Sequence, residues 1–296
     1  MTKKTKKEPA KAKPKVKKTK VKKAVAVPMS SPKILVFDIE TAPILAHVWG
    51  LWENNVGLNQ IQSDWHILSW SAKWLSDSAD KVMYQDQRGM KNIADDSKIL
   101  KGIWNLLDEA DIVITQNGKR FDQKKLNARF ILSGFPPPSS YRHIDTQEIA
   151  KRHFAFTSNK LAYMTDKLCV TYKKLTNHGK FPGHELWNAC LRDDIEAWEE
   201  MELYNKYDVL SLEELYHKLI VWDNRINFNV YTDSLDVVCK CGSKDFIKNG
   251  FSYTNTSKFQ KYRCKSCGSE CRDKKNLLSS EKKESLKRHA HPSKSE

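Results

Sequence analysis

The chain has 296 residues, and its 40% hydrophobic content with nine Trp is enough for one sizeable core with appendages. No apolar run approaches the roughly 20 residues that span a bilayer, and the Lys-rich start lacks the apolar segment of a signal peptide. These features argue against a membrane or secreted protein. We expect an intracellular protein, cytoplasmic or nucleoid-associated, and nuclear if the host is eukaryotic.

The net charge of +15 is unevenly distributed. Residues 1–26 hold 12 Lys and one acidic residue, whereas residues 27–238 carry a net charge of about −5. We expect residues 1–30 to form a disordered tail, because so polar a segment cannot bury a core. Basic terminal segments attached to an acidic domain are typical of an enzyme whose domain binds metal ions and whose basic segments attract a polyanionic substrate. A solubilising or targeting role is the alternative for the tail.

The first predicted element is a strand, Ile34–Thr41, in which four apolar residues lead into an acidic end. Side chains alternate faces along a strand, so Asp38 and Glu40 point the same way. Two neighbouring carboxylates repel each other unless they share a hard divalent cation such as Mg²⁺ or Mn²⁺. The alternative is a strand that simply ends in a charged turn.

The apolar patterns predict the elements that follow. Strands are predicted at 65–75 and 81–84, and the short polar turn between them implies antiparallel pairing. The remaining elements, in chain order, are a helix at 96–107, a strand at 111–115, a helix at 122–132, a strand at 141–145, helices at 147–153 and 159–168, and a long helix from near 194 toward 220. Three strands in a meander, followed by strand–helix units, predict an α/β sheet with one antiparallel edge.

Further acidic residues occupy positions from which they could join the first pair. Asp122 follows a predicted strand and turn, at the start of a helix. Tyr204 and Asp208 lie four residues apart in the last helix, so they share one face. Other polar residues fit turn, cap or core roles better than metal ligation; they are Asp145, Asp193, Asp194, His143, Cys169 and Cys190. Asp193 and Glu196 have capping-box spacing at the start of the last helix.

The three acidic segments resemble, in order and separation, the motifs of the DnaQ-like (DEDD) 3′-to-5′ exonucleases of the ribonuclease H-like fold. Phe37–Thr41 resembles the first motif, Asn117–Asp122 the second, and Tyr204–Asp208 the third in its tyrosine form. In the histidine form a His would stand at position 203, where this chain has Leu. The resemblance covers roughly residues 32–222. In the last predicted helix, the spacing of a larger set of residues resembles the YprB-type branch of this family. These residues are Trp198, Met201, Tyr204, Asn205, Asp208 and Val209.

The resemblance implies a ribonuclease H-like mixed sheet over residues 31–224, a three-strand antiparallel meander plus parallel strands, flanked by helices. It also implies a hydrolase that removes nucleoside monophosphates from the 3′ end of nucleic acid, with DNA favoured over RNA. The implied ligands of two Mg²⁺ or Mn²⁺ ions are Asp38, Glu40, Asp122 and Asp208. These ions would clamp the attacking and leaving oxygens of a phosphodiester. Tyr204 would orient the attacking water, because a phenol with a pKa of about 10 is a poor base at neutral pH.

Five of the seven cysteines lie near the C-terminus, which indicates metal binding in a reducing compartment. After a linker at 225–236, residues 237–272 resemble a zinc ribbon of the kind appended to transposases and topoisomerases. The predicted ligands of one structural Zn²⁺ are Cys239, Cys241, Cys264 and Cys267. The first pair is C-x-C rather than C-x-x-C, so Cys271 is an alternative to Cys239. We expect residues 273–296 to be a disordered tail.

Basic and aromatic residues interleave within the ribbon, a composition suited to stacking on bases and neutralising phosphates. The candidate nucleic-acid contacts are Lys244, Lys258, Lys261 and Arg263 in the ribbon and Lys119 and Arg120 beside Asp122. The alternatives are that the aromatic residues form the ribbon's own small core and that Lys119 and Arg120 lie on a solvated surface.

Two other functions stay open at this point. One is a nucleic-acid-binding module whose exonuclease-like domain is a non-catalytic scaffold, and the other is a structure-selective endonuclease on the same fold. A scaffold has no chemical need for four clustered acids and a tyrosine, so we favour the enzyme. The expected partners are nucleic acid and replication or repair proteins, with no membrane, and the chain is expected to be a monomer.

Overall fold

A computed structural model describes residues 32–75 and 77–287. The predicted disordered tail at 1–30 lies outside the described residues, as does the last part of the predicted tail at 273–296. Within the described ranges, no helix has the length and apolar character needed to cross a membrane.

The core of the fold is a five-stranded mixed sheet with helices packed on it. The strands of the chain are β1 (Ile34–Thr41), β2 (Leu45–Ala46), β3 (Ile61–Ser63), β4 (Ile67–Trp74), β5 (Met83–Asp86), β6 (Ile112–Thr115), β7 (Arg142–Asp145), β8 (Phe246–Thr254), β9 (Ser257–Cys264) and β10 (Glu270–Arg272). The α-helices are α1 (Ser97–Glu109), α2 (Asp122–Leu132), α3 (Thr146–His153), α4 (Leu161–Leu168), α5 (Glu185–Leu191), α6 (Ile195–Leu219) and α7 (Ser280–Ser285).

The sheet has the strand order β5-β4-β1-β6-β7. β1 pairs antiparallel with β4, and β4 pairs antiparallel with β5, which is the predicted meander. β6 runs parallel to both β1 and β7. The predicted fold class, an α/β mixed sheet with one antiparallel edge, is confirmed.

β1 is the central strand, and it is buried on both faces. Leu35 and Phe37 pack with α1 and α2 on one side of the sheet. Val36 packs on the other side, in the cluster that contains the buried residues of α3, α4 and α6. Asp38 and Glu40 continue the face of Val36 because side chains alternate along a strand. β1 therefore directs both carboxylates toward α6.

The start of α6 differs from the prediction by one residue. The cap is Asp194, whose carboxylate accepts a hydrogen bond from the backbone N–H of Ala197 at 3.2 Å. Asp193 has a left-handed backbone with φ of 59°. Its carboxylate instead accepts from Gly89 N and Trp198 Nε1, at 2.9 and 3.0 Å. Asp193 thus ties a distant loop to α6 rather than capping it.

Further elements differ from the sequence-based prediction, and the short strands β2 and β3 are absent from it. β5 begins two residues later than predicted, because residues 79–81 form a 3-10 turn. α5 has no counterpart in the prediction. Pro182 and Gly183 stand just before it, and such residues indicate a loop when only the sequence is considered.

The C-terminal region forms a separate three-stranded antiparallel sheet with the order β10-β9-β8. The predicted linker at 225–236 contains a 3-10 turn, and Asn229 exchanges two hydrogen bonds with the backbone of Val238. The described part of the predicted disordered tail, residues 273–287, is structured instead. Its backbone continues along β9, with Leu277 N donating to Lys258 O at 2.7 Å, and α7 follows.

Candidate active site

Three elements bring acidic side chains to one shallow pocket of about 210 Å³. β1 contributes Asp38 and Glu40, the start of α2 contributes Asp122, and α6 contributes Asp208. One carboxylate oxygen from each of Asp38, Glu40 and Asp208 lies within 4.8 Å of the other two. The acids predicted as one group from three separate segments therefore line the same pocket.

The turn before α2 places Asp122 in this pocket. Asn117 has a left-handed backbone with φ of 63°, and its carbonyl accepts from the N–H groups of Arg120 and Phe121. Gly118 allows a close approach, since a Cβ atom there would lie 2.2 Å from Thr115 Oγ1. The helix then begins at Asp122, whose Oδ1 accepts from Ile39 N at 3.2 Å. This bond joins α2 to the end of β1.

Two side chains hold the carboxylates of β1 in position. Asn205 Nδ2 donates to Asp38 Oδ2 at 2.8 Å, and Asn205 Oδ1 in turn accepts from Ser69 Oγ at 3.3 Å. Trp187 Nε1 donates to Glu40 Oε2 at 3.2 Å. Asn205 stands next to Tyr204 in the motif region. Trp187 comes from the unpredicted helix α5, and its sequence context gives no sign of this contact.

Lys174 is a member of the site that the sequence does not reveal. Its Nζ donates to Tyr204 Oη at 2.6 Å and to Asp208 Oδ2. The same nitrogen lies 4.2 Å from the centre of the Tyr204 ring. Lys174 lies in the loop between α4 and α5, in a stretch with several other lysines, so nothing in the local pattern distinguishes it.

Tyr204 is buried with only 7% of its surface exposed. The rings of His178 and Trp187 meet it edge-on, with centroids 4.7 and 5.9 Å away. Burial, with added effects from the Asp208 and Glu40 carboxylates, raises the pKa of the phenol above its usual value. The hydroxyl therefore keeps its proton at neutral pH and can donate a hydrogen bond, but it cannot serve as a base.

Burial is the main reason that the carboxyl groups in the pocket have raised pKa values. Burial, followed by the neighbouring Asp208, Asp122 and Glu40 carboxylates, raises the pKa of Asp38. Burial and then Asp208 raise the pKa of Glu40 to about 8. Burial raises the pKa of Asp122 to about 7, in spite of backbone hydrogen bonds that oppose the shift. The pKa of Asp208 is also raised by burial, although Lys174 opposes this.

Asp208 has one carboxylate oxygen that no donor satisfies. Its Oδ2 accepts from Lys174, whereas its Oδ1 is buried and has no hydrogen-bond partner within the described part of the chain. An unpaired buried acceptor costs free energy. A hard divalent cation would satisfy this oxygen and offset the repulsion among the carboxylates. The donor set, all oxygen, fits Mg²⁺ or Mn²⁺.

The remaining polar residues predicted near this site have contacts of their own. Lys119 Nζ pairs with Glu148 at 2.6 Å, and Arg120 is exposed. The Asp145 carboxylate accepts from Gln147 N at 3.0 Å and caps α3, as predicted. His143 bonds side chains on both ring nitrogens, Thr115 Oγ1 at 2.7 Å and Gln123 Oε1 at 3.2 Å, which confirms a structural role. Cys169 and Cys190 are buried thiols, as predicted.

Four cysteines form the second candidate metal centre. The Sγ atoms of Cys239, Cys241, Cys264 and Cys267 all lie within 4.8 Å of one another. Gly242 and Gly268, with φ of 87° and 75°, close the two turns by donating to the carbonyls of Cys239 and Cys264. Cys271 lies on β10 and does not belong to this group. The geometry of a tetrahedral thiolate site therefore favours Cys239 over Cys271.

The basic residues predicted to contact nucleic acid from the ribbon have partners in the ribbon or in the preceding linker. Lys244 pairs with Asp236 at 2.7 Å. Lys261 and Arg263 both pair with Glu270, at 3.2 and 2.9 Å. Lys258 Nζ lies 3.9 Å from the centre of the Phe251 ring. These contacts are on exposed or half-exposed side chains, where ion pairs are weak and exchange readily with other anions.

Comparison with known proteins gives the family of this chain. Residues 73–220, half of the chain, match the RNase H superfamily. Among solved structures, the family B DNA polymerase from the hyperthermophilic archaeon Pyrobaculum calidifontis is similar, with 18% identity and a TM-score of 0.47. The similarity covers 64% of this chain and only 25% of the polymerase chain. No curated protein matches. The chain belongs to the RNase H superfamily.

Proposed function

We propose that this protein is a metal-dependent 3′-to-5′ exonuclease of the DnaQ-like, tyrosine (DEDDy) type, in the YprB-type branch. Its substrate is nucleic acid, with DNA favoured over RNA, and its products are nucleoside monophosphates. Membership of the RNase H superfamily supports a nuclease-type function in general, but a fold alone does not define a reaction. The specific proposal therefore depends on the site.

The observation that carries the proposal is the convergence of four carboxylates on one pocket that also contains a buried tyrosine. Four carboxyl groups crowded into one pocket, of which Asp122 and Asp208 are buried, are costly to ionise, and Oδ1 of Asp208, which has no partner among the described residues, adds to the cost. A domain that served only as a scaffold would gain nothing from this arrangement. A nuclease needs it, because it must hold divalent cations beside a phosphodiester.

The residues proposed to hold two Mg²⁺ or Mn²⁺ ions are Asp38, Glu40, Asp122 and Asp208. When bound, such ions activate a water for attack and neutralise charge on the leaving oxygen. Asn205 and Trp187 fix the carboxylates of Asp38 and Glu40 through the hydrogen bonds described above. The ligands are thereby preorganised, so little reorganisation is needed when substrate arrives.

Tyr204 would orient the attacking water through its hydroxyl, which burial keeps protonated. The apolar members of the pocket lining are Ile39, Phe121 and Leu161. Phe121 is 39% exposed, so its ring is available to contact the terminal nucleotide. An aromatic face at this place suits a base of any identity, because every base has a π-face.

We extend the proposal to the rest of the chain. Residues 31–224 form the exonuclease domain, 225–236 a linker and 237–272 a zinc ribbon whose Cys239, Cys241, Cys264 and Cys267 hold one structural Zn²⁺. The Lys-rich segment and the basic residues of the ribbon would attract nucleic acid through its phosphates. Binding of this kind is independent of sequence and weakens with salt.

The test is cleavage of nucleic acid with and without Mg²⁺. We expect degradation that EDTA abolishes and that the double variant Asp38→Ala, Glu40→Ala lacks, while its affinity for nucleic acid stays near that of the unmodified protein. The matched control is Asp64→Ala, which removes an exposed carboxylate outside the pocket. Binding without cleavage in the unmodified protein would support the scaffold instead. Cleavage by the double variant would exclude this pocket as the active site.

A further inference from the structure

Lys174 is held at the metal pocket by a loop that is firmly attached to two helices. The carboxylate of Glu214, on α6, accepts hydrogen bonds from three consecutive backbone N–H groups just before Lys174. The donors, with their shortest distances to Glu214, are Val170 (2.6 Å), Thr171 (3.1 Å) and Tyr172 (2.8 Å). Lys174 N itself donates to Thr165 Oγ1, on α4, at 3.2 Å.

The same loop is also fixed on its other side. Leu175 packs in the apolar cluster that includes Trp198, Met201 and Tyr204. The ring of His178 packs edge-on against the ring of Tyr204. Glu214, Tyr204 and Asp208 all belong to α6, so the helix that presents the acid and the tyrosine also anchors the loop that presents the lysine. The position of the ammonium is therefore built into the fold, unlike that of a freely moving surface lysine.

The two oxygens of Asp208 have different environments because of Lys174. Oδ2 accepts from the ammonium, whereas Oδ1 is buried and has no hydrogen-bond partner among residues 32–75 and 77–287. One carboxylate oxygen from each of Asp38, Glu40 and Asp208 lies within 4.8 Å of the other two. Because Lys174 occupies only Oδ2, a divalent cation that takes Oδ1 together with Asp38 and Glu40 leaves Lys174 in place. A second cation that uses Oδ2 must displace the ammonium, which carries the same sign of charge.

We propose that Lys174 is a positioning residue that makes the metal ions bind in order. The first ion binds tightly at Asp38, Glu40 and Oδ1 of Asp208, and the second binds weakly until the Lys174 side chain withdraws from Oδ2. Lys174 thus serves as a resident cation of the site. This inference depends on the proposed function, because it assumes that the carboxylates hold divalent ions.

The test is a titration of the full chain, with its zinc bound and no nucleic acid present, with Mn²⁺. EPR measures the free Mn²⁺ at each point. The variant Lys174→Met removes the charge and keeps an unbranched side chain, and Lys174→Gln removes the charge but retains a hydrogen-bond donor. Lys174→Arg retains the charge and is the matched control. The Asp38→Asn variant identifies which bound Mn²⁺ belongs to the pocket.

We expect two unequal dissociation constants in the unmodified protein and in Lys174→Arg. In Lys174→Met and Lys174→Gln the second dissociation constant should fall by about tenfold or more, since the unit positive charge on the same carboxylate no longer repels the ion. With zinc bound but without Mn²⁺, both neutral variants should melt at a lower temperature than Lys174→Arg, and Mn²⁺ should remove the difference. A lysine with a purely structural role would not produce this rescue.

If the second dissociation constant for Mn²⁺ is the same in Lys174→Met and Lys174→Gln as in the unmodified protein, the metal site stands, but the proposed role of Lys174 is wrong. Two equal constants in the unmodified protein would overturn it as well. If no protein binds Mn²⁺ in a way that Asp38→Asn alters, then the metal site fails together with the proposed function. The two failures are therefore distinguishable in one set of titrations.

Discussion

Replacing Tyr204 by Phe removes a single hydroxyl from the candidate active site. The ring would keep its packing against His178 and Trp187, because the substitution leaves the aromatic face unchanged. The lost contact is the hydrogen bond from Lys174 Nζ at 2.6 Å. Hydrogen bonds to charged groups contribute about 1.5 to 3 kcal/mol. The loss should be at the low end of this range, because Lys174 keeps its bond to Asp208.

The effect on turnover should be larger than the effect on stability. If the hydroxyl orients the attacking water, losing one hydrogen bond made chiefly in the transition state lowers kcat by about 10- to 1,000-fold. Substrate affinity should change little, since the interaction is absent from the ground state. The assay is single-turnover degradation of end-labelled DNA at saturating Mg²⁺, with melting temperature measured in parallel.

A Tyr204→Phe protein with kcat within about twofold of the unmodified protein would contradict this role. The tyrosine would then only pack α6 against its neighbours, and the tyrosine-type assignment would have to be abandoned. If Tyr204→Phe lowers kcat strongly, the Lys174→Met variant separates two explanations of that loss. If the hydroxyl acts only by holding Lys174, both variants should be impaired alike, whereas a direct action on water predicts that Tyr204→Phe is impaired more.

Three further predictions concern the metal centres and the turn before α2. In the metal-free folded protein, the pKa values of Glu40 and Asp122 are raised to about 8 and 7. Both carboxyl groups therefore keep a proton at pH values where the unfolded chain has already released it, above about pH 4. Stability should therefore fall as pH rises toward 8, and Mg²⁺ should raise the melting temperature more at pH 8 than at pH 6; an equal rise at both would contradict the pKa shifts. Metal analysis should find about one Zn²⁺ per chain, lost in Cys264→Ser but kept in Cys271→Ser, and loss in both would put Cys271 among the ligands. Gly118→Ala should lower the free energy of unfolding by about 1 to 3 kcal/mol, measured by urea denaturation, because the new Cβ would overlap Thr115; an unchanged value would mean that the turn has room to adjust.

The elements that carry the acids could be predicted because their signals are local. The bounds of β1 and α2 agree with the sequence-based prediction at both ends. An apolar run that leads into two acids indicates a buried strand with a polar end, and the glycine and proline after residue 132 indicate the end of a helix. The grouping of the four acids does not follow from these local signals alone. The resemblance of the three acidic segments to the exonuclease motifs implies it, and the fold brings the acids to one pocket.

The residues that complete the site could not be predicted, because their contacts depend on tertiary structure. Lys174 and Trp187 come from the region between α4 and α6, where short apolar stretches give no clear period. The choice of Asp194 over Asp193 as the cap of α6 depends on a left-handed backbone at Asp193, which neighbouring identical side chains do not reveal. The choice of Cys239 over Cys271 needed the three-dimensional arrangement of the ribbon.

The most direct test of the central claim is the polarity of cleavage. A single-stranded DNA labelled at its 5′ end should give, in Mg²⁺, a ladder that shortens one nucleotide at a time, and the same strand labelled at its 3′ end should release labelled mononucleotide at once. Blocking the terminal 3′ nucleotide with a phosphorothioate linkage should stop both. Internal fragments that appear from a circular single strand, or release of mononucleotide from the 5′ end, would contradict a 3′-to-5′ exonuclease.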